Sequence, residues 1–281
     1  MSAPGRPVLR ILDWTEFTAG AALDSAGGRR TALTVGVFDG LHRGHQVLLR
    51  AVLEKAPECL PLVISFRNNP KQFFSPGAWE GDILSLRQKL DLFREGGIPL
   101  IVLIDFSEEF SRMTGGDFLE TLRVSGNPGY VAVGSNFHCG YRMDTGAEGI
   151  RSFFQGTGAL VEVFESMTLG ESRISSSRVR RAVRAGDLGE ASELLGRPVE
   201  LDLGNPLPGP DLRFRVSGRI LPPPGAWPVL IRQGSLPPAE GEALVGGGGE
   251  ITLTLPGNAA FHAGAETAFA DAGLSWRVAF C

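Results

Sequence analysis

The feature that most constrains the fold of this chain is residues 34–45, which read Thr-Val-Gly-Val-Phe-Asp-Gly-Leu-His-Arg-Gly-His. An apolar, β-type run ends at Gly36, two more glycines follow, and a helical pattern covers residues 44–54. A strand that turns through glycines into a helix presents the helix's first backbone N–H groups at the end of a sheet. The segment therefore predicts a strand–turn–helix unit with an anion-binding end, suited to phosphate.

Two of the four histidines, His42 and His45, flank Gly44 in this segment. Imidazoles there can donate hydrogen bonds to charge that develops on a phosphate. An ordinary capped helix with two surface histidines is the alternative, and zinc is disfavoured because no third or fourth ligand has suitable spacing. The surrounding glycines favour phosphate chemistry, since a metal site would not require them.

Strand-like and helix-like patterns alternate from residue 33 to about residue 197. This rhythm predicts an α/β fold with a parallel, doubly wound sheet covered by helices, in which ligands bind beyond the carboxyl ends of the strands. The predicted strands are 33–37, 61–66, 99–106, 130–134 and 160–164, and the predicted helices are 44–54, 85–95, 117–122 and 150–154.

The pattern changes near residue 200. Residues 203–210 are rich in proline and glycine and predict a linker. Short alternating segments follow, which predict a small all-β unit with strands at 213–216, 228–231, 250–255 and 275–280. We therefore predict two domains, residues 1–200 and residues 201–281.

Composition excludes several classes of protein. The net charge of −4 disfavours a general nucleic-acid binder, and apolar runs such as 101–104 are too short to cross a bilayer. Nothing at the N-terminus resembles a signal peptide. The cysteines, Cys59, Cys139 and Cys281, are odd in number and lack metal-like spacing. We expect a cytoplasmic protein with neither a nucleic-acid nor a membrane partner.

A second candidate element lies at residues 171–184, where five arginines accompany one acid. This cluster is either a concentrated anion site or a solvated helix face. The serines at 175–177 precede a helical pattern, so their hydroxyls and amides could bind phosphate beside Arg178. Taken alone, these residues would favour an ordinary Ser-capped helix. Taken together with the histidine segment, they predict the other half of a triphosphate clamp.

A third element is the glycine-bracketed loop Gly134–Gly140 at the end of a predicted strand. Asn136 offers both a donor and an acceptor, which suits a base or the edge of a flavin ring. A simple turn explains the loop equally well.

These three motifs, in this order, resemble the bacterial FAD synthetase family, whose members join an FMN adenylyltransferase domain to a riboflavin kinase domain. The resemblance covers roughly residues 8–200. It also takes in residues 65–70, 84–90, 106–110, 186–187 and 194–198.

The resemblance implies an enzyme that transfers the adenylyl group of ATP to FMN, giving FAD and pyrophosphate. It implies catalytic roles for His42, His45 and Arg178. Mg²⁺ would accompany ATP, held mainly by the phosphates and water rather than by protein ligands. The implied nucleotide-binding residues are Gly36, Phe38, Gly40, Gly44, Ser175, Ser176 and Ser177, and the implied flavin- or phosphate-binding residues are Asn69, Asn136 and Phe137.

Three departures from the family pattern bear on function. Residues 68–70 read Asn-Asn-Pro where the family usually has Pro-His-Pro, and Cys139 replaces a commoner aromatic residue. The C-terminal region lacks the family's glycine-x-proline-threonine-alanine-asparagine kinase pattern. About 80 residues are also few for a full kinase barrel. We therefore predict a degenerate barrel without riboflavin kinase activity.

Two alternatives stay open at this point. Other nucleotidyltransferases share the histidine motif and the Ser-rich helix start, including those that act on pantetheine phosphate or nicotinate mononucleotide. The chain could also be a catalytically silent flavin- or nucleotide-binding protein. Incubation with FMN and ATP separates the three possibilities.

Overall fold

A computed structural model of the protein describes residues 8–208, 211–234, 236–255 and 276–281. The chain forms two compact units, Met1–Trp79 with Lys89–Ile174, and Glu80–Gln88 with Ser175–Cys281. The sequence pattern predicts a boundary at residues 200 and 201, whereas the compact units divide at Ile174 and Ser175. The difference arises because the helices after Ser175 are compact with the C-terminal strands, which a local pattern does not reveal.

The first unit alternates strands and helices, as predicted. In chain order the elements are β1 (Arg10–Asp13), α1 (Trp14–Thr18), α2 (Ala21–Ala26), β2 (Arg30–Val35), α3 (Arg43–Glu54), β3 (Cys59–Phe66), α4 (Pro70–Phe74), α5 (Leu86–Glu95), β4 (Leu100–Ile104), α6 (Glu108–Ser111), α7 (Gly115–Gly126), β5 (Pro128–Gly134), β6 (His138–Cys139), β7 (Thr145–Gly146), α8 (Ala147–Phe154), β8 (Leu160–Phe164), β9 (Thr168–Leu169) and β10 (Ser172–Arg173). The first three residues of α5 belong to the second unit.

The main sheet of the first unit has the strand order β1-β4-β3-β2-β5-β8, and all its strands run parallel. Every residue of β4 is buried, as is typical of a strand covered on both faces. The predicted α/β fold with a parallel sheet is confirmed. Among the described residues, no helix combines the length and the hydrophobicity that a membrane span requires.

The strand order identifies where a ligand would bind. After β2 the chain passes to β3 on one side, and β5 later joins β2 on the other side. Such a reversal opens a crevice at the carboxyl ends of the two strands. The turn that follows β2 therefore lies beside the loop that follows β5.

The second unit consists of two helices and an antiparallel, nearly barrel-shaped sheet. Its strand order is β11-β16-β13-β14-β15-β12. The elements are α9 (Ser176–Ala185), α10 (Leu188–Leu195), β11 (Glu200–Gly204), β12 (Leu212–Arg215), β13 (Gly225–Gln233), β14 (Ala239–Val245), β15 (Glu250–Thr254) and β16 (Trp276–Phe280).

The predicted all-β unit is confirmed, with differences in detail. The four predicted strands correspond to β12, β13, β15 and β16, although Ser275 of the last one lies outside the described residues. The predicted linker begins inside β11, and residues 209–210 also lie outside them. Strand β14 was not predicted, because its glutamates and glycine disfavour strands until pairing with β13 overrides that preference.

Residues Glu80–Gln88 form an inserted segment, since they lie between elements of the first unit yet are compact with the second. The backbone N–H of Asp82 donates to the carbonyl of Gly218 at 3.0 Å. The Oγ of Ser85 donates to the Asp202 carboxylate at 3.0 Å and also accepts from the Gln88 N–H, which caps α5. The segment is therefore an integral part of the second unit.

Arg180 belongs to the arginine cluster noted in the sequence, but its side chain is buried, at 4% exposure. Its Nε donates to the carbonyl oxygen of Gly81 at 2.8 Å, so it holds the inserted segment. Arg184, one turn later, forms an ion pair with Glu80 in the same segment. These two arginines thus have structural partners within the second unit.

We expect Arg180→Ala to lower the free energy of unfolding by about 1.5–3 kcal/mol, because a buried, charge-assisted hydrogen bond is lost. Arg181→Ala is the matched control, since Arg181 is exposed on the same helix. Thermal or urea unfolding of both variants measures the difference. Equal stability of the two variants would contradict the role assigned to Arg180.

Candidate active site

The turn between β2 and α3 has an unusual backbone. Phe38 and Leu41 have φ values of +51° and +43°, a left-handed conformation that costs a bulky residue about 1–2 kcal/mol. Both side chains are buried, with exposures of 0% and 3%, and this burial offsets the strain. Strained turns of this kind are common at functional sites.

His42 caps the N-terminus of α3. Its Nδ1 accepts a hydrogen bond from the backbone N–H of His45, long at 3.4 Å. The same N–H donates to the His42 carbonyl oxygen at 2.8 Å, so both the main chain and the ring of His42 face the first turn of the helix.

The imidazoles of His42 and His45 are stacked, with their centroids 3.7 Å apart and their planes 17° apart. Gly44 makes room for this arrangement, since a Cβ there would lie 3.3 Å from Cε1 and Nδ1 of His42. The structure thus brings together the two histidines that the sequence singled out, and it assigns a steric role to the glycine between them.

Burial lowers the pKa of His45 well below its usual value of 6.5, and the nearby His42 and Lys89 lower that pKa further. The ring also contacts Phe38 edge to face, with centroids 5.2 Å apart. Its Nδ1 atom is buried without a hydrogen-bond partner among the described residues. His45 is therefore a neutral imidazole at physiological pH, able to donate without carrying a charge.

Phe38 and Phe137, both predicted to contact substrate, have packing roles. The Phe38 ring is fully buried and contacts Phe93 at a centroid distance of 5.8 Å. Phe137 is partly buried and packs against the hydrophobic core of the first unit. At residue 38, any contact with a ligand would therefore fall to the backbone.

The two predicted asparagines follow strands on either side of β2. Asn69 is buried and caps α4, its Oδ1 accepting from the Lys71 N–H at 3.1 Å. Asn136 follows β5 and is exposed. Because parallel strands end at one edge of the sheet, Asn69, His42 and Asn136 all belong to that edge.

Sequence reasoning assigned no site role to an aromatic cluster at the same edge, formed by Phe66, Phe73, Phe74, Phe106 and Phe110. Its rings contact one another with centroids 5.1–6.3 Å apart. Phe73 and Phe74 are 45% and 63% exposed. Consecutive phenylalanines in a short helix are the signal that could have revealed this exposed apolar surface.

Sequence reasoning also assigned no role to Lys89. Its side chain is buried, at 8% exposure, and its Nζ donates to the carbonyl of Phe66 at 2.6 Å. The available signal was its position, since residue 89 lies on the same helical face as Leu86 and Phe93. A lysine on an apolar face requires hydrogen-bonding partners inside the protein.

In the second unit, Ser175 caps α9 and its Oγ accepts from the Arg178 N–H at 3.3 Å. The Arg178 side chain is 19% exposed and forms an ion pair with Glu190 at 2.7 Å. The cap was expected from the sequence, whereas the carboxylate partner of Arg178 was not.

The sequence matches a family model described as FAD synthetase over residues 25–178, more than half of the chain. It is similar to the bifunctional riboflavin kinase/FMN adenylyltransferases of Haemophilus influenzae (28% identical over 212 residues, 72% of this chain and 69% of the relative) and Escherichia coli K12 (28% over 239 residues, 80% and 75%). The FAD synthetase of Listeria monocytogenes is 28% identical over 173 residues, covering 60% of this chain and 70% of the relative.

A crystal structure described as a macrolide-efflux protein from Streptococcus pneumoniae resembles this chain with a TM-score of 0.79. The match covers 97% of this chain and 90% of the other, at 20% identity. At that identity the likeness shows the fold alone.

We expect Gly44→Ala to change the free energy of unfolding by less than about 1 kcal/mol, because the helix propensity of alanine offsets the disturbance of the His42 cap. The added methyl group would nevertheless displace the His42 ring, which lies 3.3 Å from the position of the new Cβ. Unfolding experiments measure the first effect, and the NMR shifts of the His42 ring measure the second. An undisturbed His42 signal would contradict the steric role of Gly44.

Proposed function

The chain belongs to the FAD synthetase family, and we propose that it transfers the adenylyl group of ATP to FMN, giving FAD and pyrophosphate. The observation that carries the proposal is the stacked pair of imidazoles at the N-terminus of α3, with His45 held neutral. A helix N-terminus and two imidazole donors at the carboxyl end of β2 suit phosphate chemistry.

The reaction needs no side-chain nucleophile. A phosphate oxygen of FMN attacks the α-phosphorus of ATP, and the bond to the bridging oxygen of the β-phosphate breaks to release pyrophosphate. The protein's task is to align the two anions and to stabilise charge on the phosphate oxygens. The imidazole N–H groups of His42 and His45 supply donors for that charge. The turn at Gly36, Gly40 and Gly44 admits the nucleotide.

We propose that the flavin ring binds against the aromatic cluster. Flat aromatic systems stack with centroids about 4.5–7 Å apart, and Phe73 and Phe74 present exposed rings at the end of β3. Asn136 is exposed on the far side of β2 and is proposed to bind the nucleotide or the flavin phosphate. Asn69 caps α4 beside the cluster, so it would act there by orienting that helix.

For the second unit we propose that the first turn of α9 also binds a substrate phosphate. The helix has ten residues, and the amides and hydroxyls of Ser176 and Ser177 are suitable donors. Arg178 adds a guanidinium, which is paired with Glu190 when no substrate is bound. A phosphate would then compete with the carboxylate for that guanidinium.

We place Mg²⁺ with ATP. Among the described residues no group of three or more His, Cys, Asp or Glu side chains is arranged to hold a metal ion. Mg²⁺ commonly binds through substrate phosphates and retained water, where it neutralises part of their charge.

We further propose that the protein lacks riboflavin kinase activity. Phosphate-binding loops rely on backbone N–H donors, whereas residues 222–224, just before β13, are three consecutive prolines without them. The carbonyl of Pro223 accepts from the Trp227 Nε1–H at 3.0 Å, and a Cβ on Gly186 would lie 3.0 Å from the Trp227 ring. Packed side chains thus fill this part of the second unit.

We expect the purified protein to form FAD and pyrophosphate from FMN and ATP, and His45→Ala to lower turnover by about 100- to 1,000-fold, the effect of losing one preorganised donor. Chromatographic separation of FAD from FMN, together with a pyrophosphate assay, measures both. Arg50→Ala, an exposed position on α3, is the control.

Turnover of His45→Ala within threefold of the unaltered protein at saturating ATP would refute the histidine role. Adenylylation of pantetheine phosphate or nicotinate mononucleotide instead of FMN would show a different acceptor. Binding of FMN and ATP without product would show a catalytically silent protein.

Because residues 222–224 are prolines, we expect the protein to make no FMN when it is incubated with riboflavin and ATP, even for a long time. The bifunctional E. coli relative serves as the positive control in the same assay. Accumulation of FMN at a rate proportional to the amount of protein would overturn the degenerate-barrel interpretation.

A further inference from the structure

The Lys89 ammonium group joins the ends of two neighbouring strands. Its Nζ donates to the carbonyl of Phe66, the last residue of β3, at 2.6 Å and to the Oγ of Ser65 at 3.3 Å. It also lies 3.5 Å from the carbonyl of Val37, two residues after the end of β2. The Lys89 side chain therefore contacts the backbone at the end of β3 and the backbone that follows β2.

Ser65 completes this network. Its hydroxyl is fully buried and donates to the Val37 carbonyl at 3.2 Å. The Val37 oxygen thus receives hydrogen bonds from two directions. Burying a charged group costs free energy unless the group is hydrogen-bonded. The network therefore stabilises the buried ammonium, and the ammonium in turn restrains the strand ends.

The position of Val37 gives the network its significance. Val37 immediately precedes Phe38, the first left-handed residue of the strained turn that leads to His42. Such a backbone persists only where its surroundings restrain it. The two hydrogen bonds to Val37 supply a restraint at the point where the turn begins.

Lys89 also acts on His45 electrostatically. Lys89 lowers the pKa of His45, in addition to the larger effects of burial and of His42. Among the described residues, His42 and Lys89 are the titratable groups that shift the pKa of that ring. Removal of the ammonium would therefore relax both the turn and the restraint on the protonation of His45.

We propose that Lys89 is a positioning residue for adenylyl transfer, which holds the Val37 end of the β2–α3 turn and so fixes the rings of His42 and His45. The proposal rests on the proposed function. It assigns to Lys89 no contact with substrate.

The test compares Lys89→Met, which removes the ammonium but keeps an unbranched stem, with Lys55→Met at the far end of α3. Steady-state kinetics give kcat and the KM values for ATP and FMN, and ¹⁵N NMR follows the titration of the His45 ring. For Lys89→Met we expect kcat to fall by about tenfold or more, KM to change by less than about threefold, and His45 to titrate at higher pH. Lys55→Met should match the unaltered protein.

A folded Lys89→Met protein with unchanged kcat, or with an unchanged His45 titration, overturns the proposal. If that variant does not fold, Ser65→Ala replaces it, because the change removes one acceptor of the lysine and one donor to Val37. Ser65→Ala is expected to lower kcat several-fold, and an unchanged kcat again overturns the proposal. If the unaltered protein forms no FAD, the proposed function fails, while the His45 titration still decides whether Lys89 controls that ring.

Discussion

The candidate site depends on the way His42 caps α3. The His45 N–H donates to the His42 carbonyl oxygen at 2.8 Å and lies 3.4 Å from Nδ1 of the same residue, and the two rings stack with centroids 3.7 Å apart. The cap also explains why the intervening residue is glycine, since a Cβ at residue 44 would lie 3.3 Å from the His42 ring. The start of the helix and the placement of both rings therefore depend on the same few residues.

Much of this arrangement follows from the sequence because its causes are local. The β2–α3 turn was predicted from three glycines and a change of hydrophobic period, and β8 was predicted to the residue. The parallel sheet followed from an equally short-range signal, the alternation of strand-like and helix-like patterns. Family resemblance then supplied chemical roles that periodicity alone cannot assign, and the family match bears out the resemblance.

The features that sequence reasoning missed depend on partners far apart in the chain. Lys89 contacts Val37 across 52 positions, and Arg180 contacts Gly81 across 99. Nothing in their neighbouring residues identifies these partners. The pairing of Arg178 with Glu190 has the same origin, because it requires two helices to meet. Buried polar side chains are thus poorly predicted from sequence, although they decide how the predicted elements are held.

The inserted segment Glu80–Gln88 bears on how such a protein can evolve. The chain enters the second unit at Glu80, leaves it after Gln88 and enters again at Ser175, so the units share three covalent crossings. Truncation near residue 200 would leave residues 80–88 and two helices without the sheet that completes their unit. Any change to the second unit is therefore confined to substitutions and loop-length changes that keep its sheet, because the chain passes through that unit on its way between elements of the first.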